Sequence, residues 1–436
     1  MKQISLQLLS IILFFVACTS RPVVHMKNEG NAATDSLMLY RQDSIITIEI
    51  GNRLNPTPLS SQIYTDGEEE TYIMLDENKL HFFHLATGKQ YDTLDIKECG
   101  KLNNYSGFLY MKRNFFVYNY KQKVVYCLDS MLNIRDSWAV REQCKAKYPI
   151  DPEALTLSPI LYSNNHIVLS GSGLGSPKDA TPENRPTSCS IDIVTGGLFY
   201  GGGYPSQYTE GDFGGVYFNS IYQTVDKKGR YIYSFPADHS VYFYSPDLTT
   251  SEQVYMGSRY ISEIVSSDYN SVELLRDKSL RIKYYIGQSS YANIVYDKFR
   301  DLYYRFAEHP LPIEWTLTQK FCKPFSIIVM DADRRIISET PIVADYAQLN
   351  LGNVHVSKAG LLIQKNNMDE NKIEFVVYKI NNEDFIYYFE EQIKEENKYF
   401  VRDLYVYYGF EDYQINLKIK YRRIIKYYYF SFSLIF

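Results

Sequence analysis

Short segments in which apolar and polar residues alternate recur along most of this chain, each closed by turn-forming residues. A period of two sends successive side chains to opposite faces, so each segment is a β-strand with one face ready for burial. The segments are 71–75, 80–85, 115–120, 123–128, 166–170, 189–194, 230–235, 240–244, 292–296, 302–306, 326–330, 335–339, 360–364 and 373–380. No amphipathic helix stands out between them. Turns after an outgoing strand fall at Thr87-Gly88, Asp129-Ser130, Thr195-Gly196, Pro246-Asp247, Asp331-Ala332 and Asn381-Asn382. Once insertions are allowed for, that spacing matches the roughly 40–50 residues of a propeller blade. The expected fold class is all-β, a six-bladed β-propeller, which hides strand edges by radial repetition. Seven blades, or two β-sandwiches with a seam near 149–159, are the alternatives. The early strand 44–50 is placed to close the ring against the last blade. A content of 42 tyrosines and 24 phenylalanines suits pleated, buried surfaces.

The N-terminus reads as an export signal. Lys2 precedes an apolar run over 4–17, too short for the roughly 20 residues of a membrane-spanning helix. The order Phe15, Val16, Ala17, Cys18 resembles the lipobox of bacterial lipoproteins, with Phe15 where Leu is usual. The resemblance implies cleavage after Ala17 and lipidation of Cys18. The expected layout is a signal peptide at 1–17, the lipidated cysteine with a flexible tether at 18–42, a propeller at 43–392 and an atypical tail at 393–436. Within 383–436, 11 of 54 residues are tyrosine and only Gly409 is a glycine, so poor packing is expected after Tyr413. The stretch 417–436 reads as the product of a shifted or extended frame, or else as a basic aromatic tail after a last strand.

With 51 acidic and 46 basic residues and no long basic stripe before the C-terminus, nucleic acid is excluded as a partner. Beyond Cys18 stand Cys99, Cys127, Cys144, Cys189 and Cys322, an odd set without metal-knuckle spacing, so neither a disulfide framework nor a metal site is expected. Cys127, two residues from Val125 on an apolar run, reads as a buried small hydrophobe.

Gly171, Gly173 and Gly175 follow a strand in the order GSGLG, but Ser176-Pro177 leads into more loop rather than the helix a phosphate cradle needs. His81 and His84 are three apart on a strand and so face opposite ways, which forbids a shared metal. The acidic run Glu68 to Glu70 reads as a solvated turn. No nucleophile–base pair, catalytic motif or cofactor signature is present, and no cofactor is expected. Two insertions, 171–188 and 200–215, read as surface loops, where binding usually resides. In the second, Tyr200, Tyr204, Tyr208 and Phe213 interleave with Glu210 and Asp212. These six residues are candidates for a stacking platform for a sugar or peptide, the other reading being that the rings pack the loop onto the scaffold.

The segments NIVYDKFRDLYYRFAEHP, 293–310, and KPFSIIVMDADRRIISETPI, 323–342, together with the lipobox, resemble a family of Bacteroides-type lipoproteins called domain of unknown function 4221. The resemblance covers about 43–380. It implies an envelope lipoprotein with a propeller-like domain and brings no activity or functional residue with it. Tyr304 and Phe306 alternate with Tyr303 and Arg305 there, as a half-buried strand requires. Neither an Asp after Cys18 nor an acidic run follows the lipidation site, which favours an outer-membrane lipoprotein facing the periplasm rather than the cell surface. The expected function is non-catalytic: a membrane-tethered binding or scaffold domain for a protein, peptide or glycan. The alternative is a propeller-type hydrolase or lyase with its acids in the central channel.

Overall fold

Six four-stranded antiparallel sheets stand around one axis. The computed structural model describes residues 23–30, 38–96, 104–111, 114–172, 184–269, 271–311, 322–342, 346–366 and 369–381. The signal segment, Cys18, Cys99, Gly173, Gly175 and the tail lie outside them. Blade 1 comprises Ser60–Asp66, Glu69–Asp76, Lys79–His84 and Gln90–Asp95, and blade 2 comprises Tyr105–Met111, Asn114–Asn119, Val124–Asp129 and Ile134–Ala139. Blade 3 is Leu161–Ser163, His166–Ser170, Ser188–Asp192 and Leu198–Gly201, and blade 4 is Tyr222–Val225, Tyr231–Ser234, Ser240–Tyr244 and Ser251–Tyr255. Blade 5 is Ser290–Asp297, Leu302–Glu308, Phe325–Met330 and Ile336–Ile342. Blade 6 takes Leu349–Ser357, Gly360–Lys365 and Lys372–Asn381 from the end of the domain and its outer strand, Met38–Glu49, from the beginning.

The repeated turns mark one place in every blade. Five of them join the third strand to the fourth, and the sixth falls where the third strand of blade 6 ends at Asn381, its fourth strand coming from Met38–Glu49. An aspartate recurs at these corners because its carboxylate takes the turn's own N–H groups. Asp192 Oδ1 accepts from Val194 N at 2.9 Å, Asp129 Oδ1 from Met131 N at 2.9 Å, and Asp331 Oδ1 from Arg335 N at 2.9 Å. The ring closes noncovalently: Ile48 and Ile46 pair with Ile373 and Phe375, and Gly88 lies so near Thr47 that an added Cβ would sit 1.9 Å from its carbonyl oxygen.

Two facing layers are ruled out because inner strands neighbour one another from blade 3 through 4, 5, 6 and 1 to blade 2, and blades 2 and 3 share a core of Phe116, Tyr118, Ile167 and Leu169. The stretch 149–159 is no seam. It crosses the axis, since Thr156 Oγ1 accepts from Ser61 N of blade 1 at 3.0 Å while the Pro159 carbonyl accepts from Gln223 Nε2 of blade 4, on the opposite side of the ring, at 2.6 Å. Gly107 admits this crossing chain; a Cβ there would meet the Ala154 oxygen at 1.8 Å. Gly171 likewise abuts the Asp151 carbonyl, so the first glycine of GSGLG serves close backbone packing.

Three further expectations are corrected. The second strand of blade 5 is not half-buried: Tyr303, Tyr304, Arg305 and Phe306 are all buried, because a middle strand of a blade is covered on both faces by the blades beside it. Solvent reaches the outermost strands, such as Gln90–Asp95 and Ser251–Tyr255. The linker from blade 4 to blade 5 carries two helices, Ser271–Arg276 (α1) and Lys278–Gly287 (α2), the second capped by Asp277 accepting from Leu280 N at 3.0 Å. Their apolar spacing is too weak to show in the sequence. Finally, the described parts of the 18–42 stretch are not a free tether, for His25–Lys27 pairs antiparallel with Glu263–Val265 and the closing strand begins at Met38. Among the described residues no helix is long and apolar enough to cross a membrane.

Cys127, Cys144 and Cys189 are buried free thiols, and burial pushes the Cys127 thiol up to about 11. His81 is buried and His84 exposed, on opposite faces of their strand, with His84 stacked on Tyr91 at 4.3 Å.

Candidate functional site

The end of the ring where each inner strand begins, here called the upper face, gathers the linkers between blades and the loops joining second strands to third. The 200–215 loop lies there, and the structure separates its six candidate residues. Tyr204, Tyr208 and Phe213 are buried, 5.2 and 5.1 Å apart ring to ring, with Tyr204 5.7 Å from Phe235. Tyr204 OH donates to the Asn219 carbonyl at 2.7 Å and Tyr208 OH to that of Phe218 at 2.9 Å. These rings hold the loop down and present no open face for stacking, so the packing reading prevails over the platform. Asp212 is buried as well, its carbonyl accepting from Ser267 N. Only Glu210 is exposed. Tyr200, half-buried on the outer strand of blade 3, donates to the Val140 carbonyl and lines a shallow recess of about 320 Å³ shared with Tyr244 and Leu248.

Another set of residues does converge. Glu308, ending the second strand of blade 5, accepts from Tyr285 OH at 2.8 and 2.9 Å and from Ser290 Oγ at 2.8 Å. Lys323 donates to Ser290 Oγ at 2.8 Å, lies 3.5 Å from Glu308 and sits 4.2 Å from the Tyr285 ring centre. Burial lowers the Lys323 pKa and Glu308 opposes that shift. Tyr285 stacks on Tyr217 at 4.4 Å with ring planes 17° apart. Tyr222, on the inner strand of blade 4, is pushed up by burial and by the charges of Glu308 and Glu153. Glu153 is open to solvent, yet enough protein surrounds it to raise its pKa, with Asp151 adding to the effect. The upper face thus carries Glu153, Tyr222, the Tyr217–Tyr285 pair and Glu308, amphipathic rings interleaved with acceptors.

Beside this cluster the charged groups are taken up internally. Glu339, buried and raised by desolvation, accepts from Ser258 Oγ and Ser326 Oγ at 2.5 Å and from Arg259 N at 2.7 Å. His309 Nε2 lies 3.1 Å from Ser326 Oγ, and burial drives its pKa down to about 3. Near the axis, Ser61 Oγ donates to Asn353 Oδ1 at 2.8 Å, His355 Nε2 is 2.6 Å from the same oxygen, and Asn353 Nδ2 donates to Tyr72 OH at 3.1 Å. His355 is also driven down to about 3 by burial. Both imidazoles stay neutral near pH 7 and are held in hydrogen bonds, unlike a general base poised near the working pH. Glu308 has three donors on its two oxygens. Among the described residues no three His, Cys, Asp or Glu side chains are grouped as a metal ion would need.

Under the site lies Arg305, wholly buried. Its Nε donates to Ser234 Oγ at 2.9 Å, Nη1 to the Met256 carbonyl at 2.9 Å, and Nη2 to the carbonyls of Phe235 at 3.3 Å and Asp238 at 2.6 Å. The guanidinium sits 3.7 Å from the Tyr291 ring centre. Blade 4 is thereby fastened to blade 5. Asp297 does the equivalent toward blade 6, holding Arg300, which donates to the carbonyls of Ser357 and Lys358. Sequence reasoning passed over Arg305, Glu308, His309, Lys323 and Glu339. Their signal was a charge inside an apolar strand or at its margin, as in YYRFAEH, where burial forces a polar partner.

A family model described as domain of unknown function (DUF4221) matches residues 36–341. The crystal structure of a member of that family from Bacteroides vulgatus has a TM-score of 0.64 and 20% identity, covering 80% of this chain and 99% of its own. A Bacteroides fragilis protein described as exported gives 0.47 and 11%, covering 82% of this chain and 99% of its own. Virginiamycin B lyase from Staphylococcus aureus gives 0.38 and 9%, covering 77% and 99%. No curated protein matches the chain.

Proposed function

We propose, for a chain that belongs to the family described as domain of unknown function 4221, a non-catalytic binding or scaffold role in the cell envelope. The reading places the protein on the periplasmic side of the outer membrane, tethered by lipid on Cys18, with a protein, peptide or glycan partner on its upper face. One observation carries it: half-buried Glu308 and buried Lys323, Glu339 and His309 of that face are engaged with one another or with serines and a tyrosine, and His355 nearer the axis with an asparagine. They build a rigid, preorganised surface on which Tyr217, Tyr222 and Glu153 stand for contact. Rings of this kind suit sugars and peptides because each offers an apolar face and a polar tip.

The second reading, a hydrolase or lyase, draws on Glu153 alone, whose raised pKa is the property a general acid needs. Affinity capture from the envelope with the intact lipoprotein tests both. Binding predicts a partner retained by the wild type and lost by Tyr217→Ala with Glu153→Ala. Turnover of envelope glycan or peptide that vanishes in Glu153→Gln refutes the non-catalytic reading.

A further inference from the structure

The strand His25–Lys27 is strapped to the linker between blades 4 and 5 at several points. Val24 N donates to Ser266 Oγ at 2.8 Å and Ser266 N returns a bond to the Val24 carbonyl at 2.9 Å. Asn28 Nδ2 donates to the carbonyls of Ser258 and Ile261 at 2.7 and 2.9 Å, Tyr255 OH donates to Asn28 Oδ1 at 2.7 Å, and buried His239 Nε2 lies 3.0 Å from the Met26 carbonyl. A tether meant only to span distance needs none of this. Four residues separate Val23 from Cys18, and the five steps at no more than about 3.6 Å each reach about 18 Å. A domain of this size has a radius of gyration of about 20 Å, so an anchor on that leash cannot serve the lower face.

Next to the strap three large apolar side chains stand open to solvent among the exposed charges Glu210, Asp268, Glu273 and Arg276. Val216 is 55% exposed, Leu275 52% and Tyr269 41%. They sit on segments that touch: a Cβ on Gly215 would lie 3.7 Å from Leu275, Gly211 abuts Val24 and Ser266, and Ser267 bonds to Asp212. We infer that the upper face beside blades 4 and 5, with Val216, Tyr269 and Leu275, rests on the bilayer that holds the Cys18 lipid. Tyr269 has the amphipathic ring favoured at headgroup level, and the aliphatic pair supplies shallow insertion that reinforces the lipid anchor. This rests on the lipidation reading, and it implies that whatever binds the upper face is itself displayed at the membrane surface.

The test uses the full lipoprotein isolated from its envelope and placed on phosphatidylethanolamine/phosphatidylglycerol vesicles containing a headgroup-quencher lipid. A fluorophore is carried on Leu275→Cys or, as the lower-face control, on Met131→Cys in a turn 78% exposed, with Cys99→Ser and Cys322→Ser in both. The expected result is flotation with the vesicles and quenching several-fold stronger at position 275 than at 131, a ratio that Met26→Pro, which breaks the strap, brings toward one. Flotation with equal quenching, or stronger quenching at 131, overturns the orientation and leaves the lipidation reading standing. Failure to float, with no acyl mass on Cys18, overturns both.

Discussion

Replacing Arg305 with methionine tests what fastens blade 4 to blade 5. Swapping a buried ion pair for apolar residues is often neutral or stabilising, since two costly charges leave together. The partners of Arg305 differ, because three are backbone carbonyls, of Met256, Phe235 and Asp238, which no side-chain substitution removes. The Met256 and Asp238 carbonyls each lose the donor Arg305 supplies, at about 1–3 kcal/mol apiece, while that of Phe235 keeps Asp238 N at 3.3 Å. Relief of guanidinium desolvation, which already pulls its pKa to about 10, offsets part of that sum. The net expectation for Arg305→Met is a loss of about 2–4 kcal/mol, two unsatisfied buried acceptors less the relieved desolvation. Urea unfolding followed by circular dichroism measures it directly, and a fall in Tm of roughly 3–6 °C should accompany it. Arg305→Lys should recover less than half, because a point ammonium cannot serve a fork of acceptors. Stability of Arg305→Met within about 1 kcal/mol of the wild type would refute the reasoning, showing that those carbonyls find other donors.

Acid should unfold the ring through its buried histidines. His309 and His355 have folded pKa values of about 3 against 6.5 unfolded, so between these values the unfolded chain binds more protons and stability falls as pH falls from about 6.5 toward 3. The loss is on the order of 3–5 kcal/mol per histidine at the acid end, partly offset by Glu339, whose raised pKa favours the folded state on protonation. Unfolding curves from pH 7 to 4 check this, and a flat profile contradicts it. Gly107→Ala drives a methyl into the Ala154 carbonyl of the segment crossing the axis and should lower stability by about 2–4 kcal/mol; an unchanged urea midpoint would mean the crossing chain can move aside.

Blade count and strand positions were legible because they follow from local chemistry. Alternation needs only neighbouring residues, and the corner aspartates at 129, 192 and 331 bond within their own turns. The use of 44–50 to close the ring was legible too, since a strand before the first turn had no other place. The candidate site was not legible. Tyr204, Tyr208 and Phe213 have the composition of a binding loop and the burial of a core, and only the position of Phe235 and Phe218 beneath them decides which. Glu308, Lys323, Ser290 and Tyr285 come from two strands, a loop and a helix, and no spacing in the chain announces that they meet.

By itself, then, the chain's rhythm determined strands, turns and their sixfold grouping, because backbone geometry and period-two burial are short-range properties. Tertiary structure alone decided that 149–159 crosses the axis, that residues 25–27 form a strap, and that Arg305 and Glu339 are buried with partners. The physical reason is the range of the forces involved. A hydrogen bond to a carbonyl seventy residues away leaves no mark on the residues beside it, so desolvation and its compensation appear only once the blades are stacked.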